Sequence, residues 1–234
     1  MNMTRTLLII VAVGALVCVV SFTTLGAVGG FKGRHFHPGH FHFDGDSDGA
    51  EVTRDLPWTG GESLHISVPA SITYTQGPQV RFTVSGPKSV IDSLHLDDGS
   101  LGRTGGMGWG HSGDLNITVT SPNTHDFHLS GAQDLTLKQY DQDSLELHMS
   151  GAGDVEGEGH AKRLEAHISG AGDLDLKKLP VDDAVVSISG AGDATLDPKV
   201  SADIDISGAG HVTLKTKPPT LHQHIAGFGA VDLP

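Results

Sequence analysis

A single cysteine, Cys18, stands among the 234 residues, so no disulfide can close within the chain. It lies inside the N-terminal apolar run, where it reads as one more buried apolar side chain. Aromatic residues make up only 5% of the chain, which weighs against a helical bundle filled by large side chains. Basic residues are also few: 15 Lys and Arg face 28 Asp and Glu, for a formal charge of -13. Binding to phosphate needs clustered Lys and Arg that release counterions, so nucleic acid is excluded as a partner. Glycine, in contrast, is abundant at 32 residues, as suits a backbone that turns many tight corners.

The chain divides into three stretches. Residues 1–30 carry Arg5 followed by an uncharged apolar run from Leu7 to Val20 that extends through Phe22, Leu25, Ala27 and Val28. This reads as an export signal or a membrane-anchoring apolar helix. The small-x-small cleavage patterns at Thr24-Leu25-Gly26 and Leu25-Gly26-Ala27 are weak, which favours an uncleaved anchor. Val17 is too bulky for a lipobox ahead of Cys18. Residues 31–54 form a linker rich in His, Gly and Asp, and 55–234 the folded domain. Within the latter, Leu64 to Val68 and Val80 to Val84 alternate apolar and polar residues between Pro and Gly, predicting strands of the first coils and a cap. Gly102 to Gly113 is a glycine-rich loop.

Internal repetition decides the architecture. Ser130-Gly131-Ala132-Gln133-Asp134 recurs at Ser150, Ser169, Ser189 and, ending in His211, at Ser207, in steps of 20, 19, 20 and 18 residues. On both sides of each corner the residues alternate with period two. Leu129, Met149, Ile168, Ile188, Ile206 and Ile225 form one inward column. Phe127, Leu147, Ala166, Val186 and Ile204 form a second, and Leu135, Val155, Leu174, Ala194, Val212 and Val231 a third. One coil cannot bury such a face, whereas coils stacked about 4.8 Å apart bury it continuously. The pattern therefore predicts an all-β solenoid with coils of about 19–20 residues.

The run from Ser112 to Leu233, with its repeated corners and the preceding Leu115-Asn116-Ile117-Thr118-Val119-Thr120-Ser121-Pro122, resembles the bacterial GIN domain family, the auto-transporter adhesin heads. The likeness extends more loosely back to about Asp55. It implies a single-stranded right-handed β-helix of the cell envelope and brings no catalytic residues. His211, in place of the corner Asp, and Thr216-Lys217-Pro218 depart from that family's pattern.

Four groups of residues are candidates for chemistry. The corner column Asp134, Asp154, Asp173 and Asp193 is read as structural, each carboxylate accepting a backbone hydrogen bond in an Asx-type turn. Calcium-binding β-rolls place their Asp in G-G-x-G-x-D at a nine-residue period, unlike this one. Three coils repeat acid-x-His on the outward face: Asp126 with His128, Glu146 with His148, and Glu165 with His167. A solvated β face is the simpler reading of the columns, with a shared Zn²⁺ or a pH-responsive surface through His protonation as alternatives. His35, His37, His40 and His42 of the linker form a tract of the sort that captures transition metals, or a solvated spacer. Trp109, beside Met107, offers a contact point for a glycan or protein, or a cover for an open solenoid end.

No Lys or Arg cluster flanks the carboxylates to stabilise a developing anion, so no enzyme is expected and no cofactor is required. The expected protein is an envelope module, anchored facing the periplasm or exterior or exported after cleavage. It would offer flat outer faces to a surface, glycan or protein, and solenoid ends open to end-to-end association. The rival is a metal-binding envelope protein using the linker His and the acid-x-His grid, with Zn²⁺ or Ca²⁺ as the ion.

Overall fold

The computed structural model describes residues 50–104 and 115–234. The apolar segment 1–30, the linker tract His35, His37, His40 and His42, and the loop carrying Trp109 lie outside the described residues. Among the described residues no helix is long and apolar enough to cross a membrane.

Among the described residues fourteen strands build one sheet system. Strands β1 (Glu51–Asp55), β2 (Ser63–Ile66), β3 (Ala70–Gln76) and β4 (Arg81–Pro87) come first. A single helical turn, α1 (Lys88–Ile91), precedes the hairpin of β5 (Leu94–Asp97) and β6 (Ser100–Arg103), and β7 (Asn116–Ser121) follows. The coils are β8 (Asp126–Ala152), β9 (Val155–Ala171), β10 (Leu174–Lys178), β11 (Val181–Leu196), β12 (Pro198–Leu214), β13 (Thr220–Gly227) and β14 (Ala230–Asp232). Strand β1 begins at Glu51, inside the 31–54 stretch expected as linker. Thr53, Arg54 and Asp55 pair antiparallel with Ser85, Val84 and Thr83, which places the start of ordered pairing upstream of residue 55.

From β8 onward every pairing is parallel and each repeat lies in register on the next. Ser150 stands over Ser169 and Gly151 over Gly170. Ser189 stands over Ser169, and Ala191 over Ala209. Consecutive copies of a chain segment can pair in parallel only if each coil returns to its own start, so this register makes the region a β-solenoid with coils of about 19 residues.

The inward columns read from the sequence fill its core. Leu129, Met149, Ile168, Ile188 and Ile206 are all buried, as are Phe127, Leu147, Ala166, Val186 and Ile204, and Leu135, Val155, Leu174, Ala194 and Val212. Burial of each large aliphatic side chain contributes roughly 1.5–3 kcal/mol. The last coil differs: Ile225 is 37% exposed and Val231 only partly buried. They occupy inward positions, but among the described residues no further layer covers them.

The N-terminal end is built differently. Strands β2 and β3 stack in parallel on β8, and β6 and β7 stack in parallel on them as a further layer. Strand β4 then turns antiparallel against β7, and β1 against β4. The β5–β6 hairpin turns at Asp98 and Gly99, with φ of 44° and 78°, the two positive values that a type I′ turn requires.

The glycine column of the corners has a measurable reason. A Cβ on Gly170 would stand 2.0 Å from the carbonyl oxygen of Gly151, and one on Gly190 2.1 Å from that of Gly170. Adjacent layers approach backbone to backbone there, at φ near +144° and +152°, and no other residue fits. The first corner carries Gln133 at its fourth position instead. Its buried side-chain amide donates to the carbonyls of Val68 at 3.0 Å and Ser130 at 2.7 Å, with Ile66 farther at 3.3 Å. The layer above lacks a matching corner, and the Gln amide supplies the hydrogen bonds that a stacked copy would otherwise make.

Candidate functional site

Strand alternation sends one residue in two outward, and stacking turns each outward position into a column. His148 stands in register with His167, and His65 of β2 with His128. The rings form a continuous ladder of four imidazoles. Centroids lie 4.1 Å apart from His65 to His128, 4.4 Å from His128 to His148 and 5.1 Å from His148 to His167, with ring planes within 14° of parallel. His65 was not part of the expected grid, because no Ser-Gly-Ala corner follows it. A shorter signal does find it: His65-Ile66-Ser67 repeats the His-apolar-Ser of His128-Leu129-Ser130, His148-Met149-Ser150 and His167-Ile168-Ser169.

Two residues earlier runs the second column, Ser63, Asp126, Glu146 and Glu165, aligned by the same registers. Asp126 is more enclosed than Glu165, its side chain 19% exposed against 36%. The Ser63 hydroxyl donates to Asp126 Oδ2 at 2.8 Å. The other oxygen, Oδ1, is buried and lies 2.9 Å from His128 Nε2, yet that approach is too poorly aligned to count as a hydrogen bond, so Oδ1 has no proper partner. Lower in the column His167 Nε2 meets Glu165 Oε1 at 3.1 Å. In two groups, His65 with Asp126 and His128, and Asp126 with Glu146 and His148, one ligand atom from each residue lies within 4.8 Å of the others.

The electrostatics follow from the stacking. Burial holds His148 below the usual His range, and the neighbouring imidazoles of His128 and His167 push it further the same way. The neutral ring, with a free nitrogen lone pair, is favoured there. The hydrogen bond from His167 holds Glu165 below the usual carboxylate range.

The corner carboxylates act across layers and not within their own turns. The Asp154 N–H donates to Asp134 Oδ1 at 3.2 Å, the Asp173 N–H to Asp154 Oδ1 at 3.3 Å, and the Asp193 N–H to Asp173 Oδ1 at 3.0 Å. Asp134, Asp154 and Asp173 thus each cap a backbone group of the next coil, which differs from the expected Asx turn. Where His211 replaces the fifth Asp, its Nε2 lies 3.0 Å from Asp232 Oδ2 of the following coil. A separate shallow groove of about 490 Å³ is lined by Thr136, Lys138, Glu156, Glu158, Asp175 and Lys178. Its charges are of both signs, and Asp175 is already paired with Lys177.

A solenoid of parallel coils with polar outward columns is the class that fold and site define. Residues 62–218 match the family described as "Putative auto-transporter adhesin, head GIN domain", and the chain belongs to that family. Among solved structures its fold is similar to that of a putative adhesin from Bacteroides fragilis NCTC 9343. That likeness has 20% identity and a TM-score of 0.66, covering 79% of this chain and 97% of that one. A putative adhesin from Parabacteroides merdae ATCC 43184 is more distantly similar, at 14% identity and a TM-score of 0.47, covering 80% of this chain and 97% of that one. No curated protein matches.

Proposed function

We propose that the chain is a non-catalytic binding module of the cell envelope, a right-handed solenoid that presents flat outer faces to a surface ligand. The observation that carries this reading is the in-register stacking from β8 to β13, which turns each outward position into a ladder along one face. Ladders of this kind suit contact with an extended surface, because successive layers meet it alike. A catalytic site, by contrast, needs unlike groups converging on one reacting atom. The family description, with its adhesin heads, supports the same reading. In it, residues 1–30 hold the domain at the membrane, or are removed on export, and the stretch ahead of β1 is the spacer.

Two measurements test it on the full chain. Alkaline phosphatase, active only outside the cytoplasm, is fused after Pro234, and active fusions are expected. Cells that make the chain are then compared with cells that lack it for retention on mucin-coated and peptidoglycan-coated wells. Higher retention on at least one coating is the expected result. An inactive fusion overturns the envelope placement, and equal retention on both coatings overturns the adhesive role.

A further inference from the structure

We propose that the upper part of the histidine ladder is a binding site for a first-row divalent transition-metal ion, centred on Asp126 and completed by the imidazoles of His65 and His128. The inference stands apart from adhesion and survives its failure.

The donor set is built from three sources. The buried Asp126 Oδ1 lacks a proper hydrogen bond, and an ion would supply the partner that it is missing. Ser63 holds the other oxygen at 2.8 Å, fixing the carboxylate as outer partners of metal ligands do. His65 and His128 bring ring nitrogens to within 4.8 Å of that carboxylate and of each other. Four-coordinate Zn²⁺ takes His nitrogen at about 2.0–2.1 Å and carboxylate oxygen at about 2.0–2.2 Å, so its donors lie about 3.3 Å apart. The clustered atoms therefore need to close by an ångström or so. Stacked rings point their lone pairs in parallel, and a tilt of His65 toward His128 makes them converge. His65 is exposed and is free to make that tilt.

Below the same carboxylate, Glu146 and His148 complete a second triad with Asp126. The site thus has a reserve of nitrogen and oxygen donors on its lower side, from which the fourth ligand can come. Imidazole with carboxylate selects Zn²⁺, Ni²⁺ or Cu²⁺, whereas Ca²⁺ requires six to eight oxygens, more than this face provides. The corner column Asp134 to Asp193 does not compete. Oδ1 of Asp134, Asp154 and Asp173 already accepts a backbone N–H, and nothing besides their charge points to an ion.

The test uses the full chain in detergent micelles with His35→Ala, His37→Ala, His40→Ala and His42→Ala, which silences the linker tract. Zn²⁺ binding is measured by calorimetric titration after chelator treatment, and Co²⁺ is added separately to read the visible bands of tetrahedral coordination. The parent is expected to bind Zn²⁺ and to show those bands, with Ca²⁺ giving no heat. Loss of an outer partner alone weakens a metal site about 10–100-fold, so Asp126→Asn and His128→Ala should each weaken Zn²⁺ by at least about tenfold and abolish the bands. His224→Ala, in the same column at the far end, should change neither. Melting curves without metal accompany each variant, and Asp126→Asn preserves size and shape should His128→Ala disturb the stacking. A parent that binds no Zn²⁺, or Zn²⁺ affinity unchanged in both Asp126→Asn and His128→Ala, overturns the proposal.

Discussion

Replacing Gly170 by Ala should unlock the stack at a single layer. The added Cβ would stand 2.0 Å from the Gly151 carbonyl oxygen and 3.0 Å from its carbonyl carbon and nitrogen, all backbone atoms that cannot swing away. The residue also sits at φ +144°, where an L side chain is strained. Backbone strain of this kind costs about 1–3 kcal/mol, and forcing atoms into a packed contact about 1–3 kcal/mol more, so Gly170→Ala should lose roughly 2–6 kcal/mol. For a chain of this size each kcal/mol lowers the melting temperature by about 2–4 °C, which puts the middle of that range near ~8–16 °C. Gly131→Ala separates the two contributions. Gly131 has φ +120°, yet the nearest atom to its added Cβ is the side-chain amide of Gln133 at 3.4 Å, because no repeat corner lies above it. That variant should pay the strain alone, about 1–3 kcal/mol. Thermal unfolding followed by circular dichroism, with both variants beside wild type, decides the matter. Equal losses at the two positions would refute the claim that contact between layers, and not backbone conformation, makes glycine obligatory there.

Gln133→Gly would restore the repeat's own corner, yet it should destabilise: it removes the donor to the carbonyls of Val68 and Ser130, at a cost of about 1–3 kcal/mol, read as a lower urea midpoint. A midpoint at or above wild type would count against the sealing role of that amide. Both tyrosines of the chain, Tyr74 and Tyr140, are buried, and burial pushes Tyr74 up to about 12 from 10.0 and Tyr140 in the same direction. A raised folded value gives stability that is complete below pH 10 and is lost as the pH climbs to about 12, so tyrosinate absorbance should appear together with loss of the strand signal. Tyrosinate rising near pH 10 in a still-folded chain would show that the phenols are open to solvent.

The solenoid was legible because every layer meets the same neighbours. Identical contacts impose identical residues, and a 19-residue echo such as Ser150 to Ser169 survives in the sequence as repetition. The cap has no such echo. Strands β1, β4 and β5 pair antiparallel in contacts that no other layer repeats, so Thr53 against Ser85 or Leu94 against Arg103 leaves no periodic trace. The grid of acid and His was visible within β8 and β9, where the corner fixed the phase, but its upper end was not. His65 reaches His128 only because β2 lies in parallel on β8, a pairing between residues 63 apart in the chain. The direction in which the corner carboxylates bond was equally hidden. An Asx turn and a cap on the next layer use the same Asp at the same place, and only the separation between layers decides which backbone N–H lies within reach.

The fold does not ask for histidine in the outward column. Below His167 the register continues through Ser187, Asp205 and His224, and those layers stack as well as the ones above. A hydroxyl, a carboxylate and an imidazole are interchangeable there as far as the backbone is concerned, because the inward neighbours Ile168, Ile188 and Ile206 do the packing. Four successive imidazoles beside a carboxylate column are therefore a choice that stability leaves open. Ring stacking itself supplies the rival explanation, since offset aromatic pairs contribute about 0.5–1.5 kcal/mol each. That explanation predicts that truncating His128, which has a ring on either side, harms the metal-free protein most, and that the Asp126 amide is silent. Coordination predicts the reverse order: Asp126→Asn, which touches no ring stack, abolishes the response to Zn²⁺ while leaving the metal-free melting curve close to that of the parent. The two accounts place their largest effects on different residues of the same face, so one pair of variants separates a ladder kept for packing from a ladder kept for an ion.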